Sequence, residues 1–193
     1  LLCGEKVTEQ EKAASNGAIY SRFDNCVCIE QGEKHKLKAV IFDLDDTLYS
    51  EKEYVKSGFK KVAETIGNDV VAIEKQLWQA FENGENAIDS VLRANNLYTE
   101  DLKNKCVNEY RNQIPDIHLF DGVVEVLTTL KQKGIKTGII TDGRPFGQRA
   151  KLKALGLENL VDEIIITDEL GGINFRKPDD ISFRIMQKRF NVN

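Results

Sequence analysis

Three carboxylates crowd the stretch AVIFDLDDTLYS, residues 39–50, where Asp43, Asp45 and Asp46 follow an apolar run. Asp43 and Asp45 are two residues apart, so a bend at the end of a strand can turn both toward one place. Left alone they repel each other. A divalent cation removes the conflict, and magnesium favours oxygen ligands while keeping some water. The same pair can do covalent chemistry. One carboxylate attacks phosphorus to give an aspartyl phosphate, and the other exchanges protons with the leaving oxygen and the incoming water. A phosphoryl dianion then needs positive charge and hydrogen-bond donors. The hydroxyl of Thr141, the amides around Asp142 and Gly143, and the ammonium of Lys177 are the candidates further along the chain.

Each of these pieces is common by itself: Asp-x-Asp and Thr-Asp-Gly suit turns, and Lys-Pro suits a helix start. Their order along the chain is not common, and it depends on the elements between them. Residues 38–43 form a continuous apolar run, as expected of a parallel strand buried on both faces. Residues 135–141 and 161–167 are two more such strands. Helical spacing marks 51–66, about 70–81, 85–95 and 99–112, with Asp69 and Thr99 placed to cap. Further helices are expected over 123–133, closed by Gly134, over 145–156, and over 177–190. Strands alternating with helices imply right-handed βαβ units and a parallel sheet. Such sheets bind ligands beyond the carboxyl ends of their strands, and there the candidates fall. Asp43 and Asp45 follow the first strand, Thr141, Asp142 and Gly143 the second, and Thr167 and Asp168 the third, with Arg176 and Lys177 beyond.

The 193 residues are 41% hydrophobic and 30% charged, with a net charge of -4. That reads as a soluble globular protein. No apolar run approaches the roughly 20 residues of a membrane-spanning helix. Lysine and arginine are scattered, which argues against nucleic acid as a partner. Cys3, Cys26, Cys28 and Cys106 include a C-x-C pair rather than the C-x-x-C of zinc sites, and read as reduced thiols of a cytoplasmic protein. Residues 1–36 are polar and read as an extension or the remnant of a preceding domain, with AIYSRFDNCVCI able to form short strands. The chain begins at Leu1 and its one methionine is Met186, so it reads as a segment of a longer protein, open to fusion with an upstream domain.

DLDDTLY, TDG and RKP, in that order over residues 38–190, resemble three of the four motifs of the haloacid dehalogenase superfamily. The resemblance implies an α/β fold: a Rossmann-like core over 37–50 and 117–193, with a helical cap over 51–116 that closes on the site. It implies that Asp43 is the nucleophile and a magnesium ligand. Asp45 would be the general acid/base and lend the metal its backbone carbonyl. Thr141 and the amides after it would bind phosphate, and Lys177 would pair with phosphate and nucleophile. Asp45 points to phosphatases and phosphomutases rather than dehalogenases, which lack an acid/base there. The family's fourth motif, an acidic loop completing the metal site, has no counterpart: Asp179 and Asp180 lie too close to Lys177, and Asp168 occupies a position the family does not use for metal. Two further strands are also missing, which leaves the nucleophile's strand expected to be unpaired on one side. The segment by itself is expected to bind magnesium poorly and turn over slowly.

The reading is therefore a magnesium-dependent phosphatase acting on a small phosphomonoester. A phosphomutase and a non-catalytic domain of a larger protein are the alternatives. Arg144 is a loop cation beside the second motif, His118 a surface or hinge residue, Trp78 part of the cap core, and Asp46 a turn residue. Tyr49 and Ser50 stand where the cap begins, in reach of substrate.

Overall fold

The computed structural model describes residues 19–23, 26–30, 37–67 and 69–192, with side-chain surroundings from residue 37 onward. Three strands run parallel: β3 (Ala39–Phe42), β4 (Lys136–Thr141) and β5 (Glu163–Ile166), with Ile41 opposite Gly138 and Ile140 opposite Ile165. All four residues of β3 are buried, as its continuous apolar run requires of a strand covered on both faces. A hairpin of β1 (Ile19–Phe23) and β2 (Cys26–Glu30) extends this sheet, giving the order β1-β2-β3-β4-β5.

The hairpin corrects the expectation of an unpaired β3. β2 runs antiparallel to it, with Cys26 opposite Phe42 and Cys28 opposite Val40. A bare edge would leave a row of backbone N–H and C=O groups without partners, and the hairpin supplies them from the same chain. The short strands expected within residues 1–36 are thus part of the sheet. The proposed thiol state of Cys3, Cys26 and Cys28 lies outside the described side chains; Cys106 is a free, buried thiol whose pKa burial raises.

Ala39, Ile41, Ile140 and Ile165 pack with Met186, Phe190 and Val192 of the C-terminal helix and its end. Gly138 makes this approach close: a Cβ there would stand 2.9 Å from the Met186 sulfur. That helix, Ile181–Phe190, starts later than the 177–190 expected. Before it, the Asp179 amide bonds to the Arg176 carbonyl and the Ile181 amide to the Asp179 carboxylate. Local Asp–backbone bonds of this kind compete with helix. Residues 177–180 are therefore free to place Lys177 rather than wind. β5 likewise ends at Ile166, and Thr167–Leu170 forms a 3-10 turn.

The chain divides into two compact units. Of the described residues, one unit holds those through Tyr49, Leu119–Gln148 and those from Gly156; the other holds those within Ser50–His118 and Arg149–Leu155. The second contains α1 (Glu51–Ile66), α2 (Val70–Glu82), α3 (Ala87–Ala94) and α4 (Glu100–Arg111). Their apolar stripes meet in one core that includes Phe59, Val62, Ile73, Leu77, Val91, Leu92 and Cys106. Asp69 accepts the Ala72 amide at 3.1 Å and Thr99 the Leu102 amide at 3.1 Å, the two caps read from the sequence. Trp78 packs against this core as expected. In the first unit α5 spans Val123–Gln132; α6 (Pro145–Ala154) is shared by the two units, and α7 is Ile181–Phe190. No described helix is long and apolar enough to cross a membrane.

Candidate active site

Asp43 stands one residue beyond β3, at its carboxyl end. Its Oδ1 accepts from Lys177 Nζ at 2.7 Å, across 134 residues of chain. Both side chains are partly exposed, 29% for Asp43 and 26% for Lys177, so the pair is solvent-accessible. Lys177 Nζ also donates to the Ile140 carbonyl at 3.2 Å. Its backbone amide donates to Asp142 Oδ1 at 3.2 Å, and the Thr167 hydroxyl donates to the same oxygen at 2.7 Å. The Asp142 carboxylate is therefore a brace. It ties the end of β4 to the end of β5 and to the segment carrying Lys177.

The turn after Asp43 is built on the fully buried Leu44, whose carbonyl accepts from the Thr47 and Leu48 amides. Asp46 takes a left-handed conformation, φ 51°, and is exposed, in keeping with its reading as a turn residue. Asparagine and aspartate enter that region more readily than most side chains. The turn aims Asp45 at two donors. The buried Tyr49 hydroxyl donates to Oδ1 at 2.5 Å, and Gln148 Nε2 donates to Oδ2 at 2.8 Å. Gln148 Nε2 also donates to Thr141 Oγ1 at 2.5 Å. Gly143 adopts φ 131°, where side chains are strained, and a Cβ there would press on Gln148 at 3.3 Å. Glycine at this place thus serves both the turn and the room that Gln148 needs.

Asp168 and Arg176 form a two-pronged ion pair, with both contacts at 2.7 Å. The Arg176 guanidinium holds the Asp168 carboxyl below its usual range, helped by the Gly143 amide and the charge of Arg144. Asp168 and Arg176 thereby tie the loop after β5 to the TDG turn.

The structure brings Asp43, Asp45, Thr141, Asp142, Gly143 and Lys177 together at the strand ends. Gln148 escaped the sequence reading, and so did the bonds of Thr167 to Asp142 and of Asp168 to Arg176, although Thr167, Asp168 and Arg176 were themselves read at or beyond the end of the third strand. Nothing in local spacing marks Gln148, which lies 103 residues from Asp45. Tyr49, read only as in reach of substrate, instead grips Asp45. His118 belongs to the helical unit, where its amide donates to Glu53 Oε2 at 2.7 Å.

A match to the family model of haloacid dehalogenase-like hydrolases covers residues 40–193. The chain belongs to the haloacid dehalogenase-like hydrolases. The matched stretch includes all six candidate residues of this hydrolase and leaves the β1–β2 hairpin outside. A Pyrococcus furiosus protein named glyceraldehyde 3-phosphate phosphatase is 31% identical over 171 residues, 81% of this chain and 69% of its own. A Methanocaldococcus jannaschii protein of the same name is 26% identical over 152 residues, 70% of this chain and 64% of its own. The hydrolase chain thus spans about two-thirds of the length of these relatives. Two crystal structures share its fold. A Thermotoga maritima protein assigned as a β-phosphoglucomutase aligns with TM-score 0.57 and 22% identity, over 81% of this chain and 72% of its own. A Streptococcus pneumoniae hydrolase aligns with TM-score 0.51 and 18% identity, over 79% and 77%.

Proposed function

We propose that the protein is a magnesium-dependent phosphatase that cleaves a small phosphomonoester through an aspartyl phosphate on Asp43. The observation that carries this reading is the Asp43–Lys177 pair at the open end of the sheet, with a second carboxylate, Asp45, two residues on. An accessible carboxylate oriented by an ammonium is a nucleophile held beside the positive charge its product requires.

The donor set bears on the metal. Both carboxylate oxygens of Asp45 already accept from protein donors. Asp43 has one oxygen engaged by Lys177. Among the described residues no group of three acidic, histidine or cysteine side chains could hold a metal ion. Magnesium does not demand such a cage, because it uses one or two carboxylates with water and substrate phosphate. Asp43 Oδ2 and the Asp45 main-chain carbonyl would hold that part of the shell. When bound, the cation would supply charge neutralisation to the phosphoryl group.

The chain's own residues account for the bond changes. An Asp43 oxygen bonds to phosphorus as the phosphorus–oxygen bond to the leaving group breaks. Asp45 gives its proton to that oxygen, releasing an alcohol. Asp45, now ionised, takes a proton from water while the water oxygen attacks phosphorus, and the Asp43–phosphorus bond breaks to regenerate the carboxylate and release inorganic phosphate. Thr141 and Lys177 hold the phosphoryl oxygens throughout. The test is a phosphomonoester screen of the protein with magnesium, beginning with glyceraldehyde 3-phosphate because five relatives are named as phosphatases of it. Release of phosphate that disappears in Asp43→Asn is expected; turnover retained by Asp43→Asn would sink the mechanism.

A further inference from the structure

Gln148 lies outside all three motifs, yet it touches two of them. Its side chain is buried, 4% exposed, in the first turn of α6. A carboxamide nitrogen carries two hydrogens. Here Nε2 directs bonds to Asp45 Oδ2 at 2.8 Å and to Thr141 Oγ1 at 2.5 Å. Each bond constrains its partner's chemistry. Thr141 has a single hydroxyl hydrogen, and its oxygen accepts from Gln148, so that hydrogen is left to donate elsewhere. This is the polarity a phosphoryl oxygen needs. Asp45 Oδ2 faces an N–H that can only donate, whereas Oδ1 faces the Tyr49 hydroxyl, which can donate or accept.

We propose that Gln148 is a positioning residue that locks the Asp45 carboxylate to the Thr141 hydroxyl. It sets the acid/base and the phosphate-binding donor in one orientation. The proposal rests on the phosphatase reading above, and its role is exerted through Asp45 and Thr141 rather than on substrate.

The test uses Gln148→Met, which keeps the volume and removes both hydrogen bonds. Its kcat/KM is measured in the full chain on two probes: p-nitrophenyl phosphate and an alkyl phosphomonoester that the wild type turns over. An alkoxide must be protonated as it leaves, but nitrophenolate departs without help. Loss of the Thr141 orientation lowers both probes, whereas misorienting the acid lowers only the alkyl ester, so kcat/KM should fall on both and more than about fivefold further on the alkyl ester. Loss of folded protein lowers both by one factor, so the ratio does not depend on how well the variant folds. Equal factors on the two probes, or no change on either, overturn the proposal. Asp43→Asn runs alongside: if it still turns over, the phosphatase reading itself has failed, independently of Gln148.

Discussion

The four-helix unit and the strand-end loops are held by different forces. In the helical unit, apolar side chains at helical spacing meet in one core, and residues such as Leu77 and Leu92 are fully buried. Burial is non-directional and follows a period that can be read along the chain. At the strand ends the contacts are directional bonds between polar groups far apart in sequence: Asp43 with Lys177, Asp45 with Gln148, Asp142 with Thr167. A mutation in the first region should cost stability, and one in the second should cost turnover.

The largest effect expected is at Asp43, where replacement by Asn should bring phosphate release below detection while thermal unfolding remains cooperative. An unfolded Asp43→Asn protein would blur the division between the two regions. Next is Leu77→Ala, which removes a fully buried side chain and should lower unfolding free energy by about 2–5 kcal/mol in denaturant titration. Little change there would mean the helical core is not close-packed. Gly58 stands where α1 meets α4, and a Cβ would drive into the Tyr110 ring and approach the Gln113 amide nitrogen at 2.7 Å. Gly58→Ala is expected to cost roughly 1–3 kcal/mol, despite alanine's better helix propensity. A stabilised Gly58→Ala protein would show that the two helices can part freely. Removing the α4 cap by Thr99→Ala should cost about 1 kcal/mol, read as a lowered melting temperature.

The smallest effect lies in the loops and depends on pH. Arg176 lowers the Asp168 pKa in the folded protein, so the pair stabilises the fold above the unfolded aspartate pKa of about 4. That contribution is lost as pH falls through the lower folded value. Wild type should therefore exceed Asp168→Asn in stability at pH 7, with the gap closing in acid. Because Arg176 is 39% exposed, the gap should be modest. A gap that is constant with pH would remove the ion pair as its cause.

Much of the fold was legible in order. The helices at 51–66 and 70–81, the Asp69 and Thr99 caps and the buried strand at β3 followed from periodicity and end signals. The site was legible in parts. Asp43 and Asp45 announced themselves by spacing, whereas the pairing of Asp43 with Lys177 was expected only through the family resemblance. The start of α7 was misjudged because Asp179 offers the backbone an alternative to helix, and helical periodicity does not register that competition.

Read alone, the chain specified its alternation of strands and helices, the place of the helical unit after β3, and the residue types at the strand ends. These depend on patterns within a few residues of one another. Only the tertiary structure decided that β2 covers the edge of β3, that the Asp142 carboxylate braces Lys177, and that Gln148 joins Asp45 to Thr141. Such pairings are chosen when distant segments arrive at one place, and a polar side chain excluded from water must bond to whatever group the fold has set beside it.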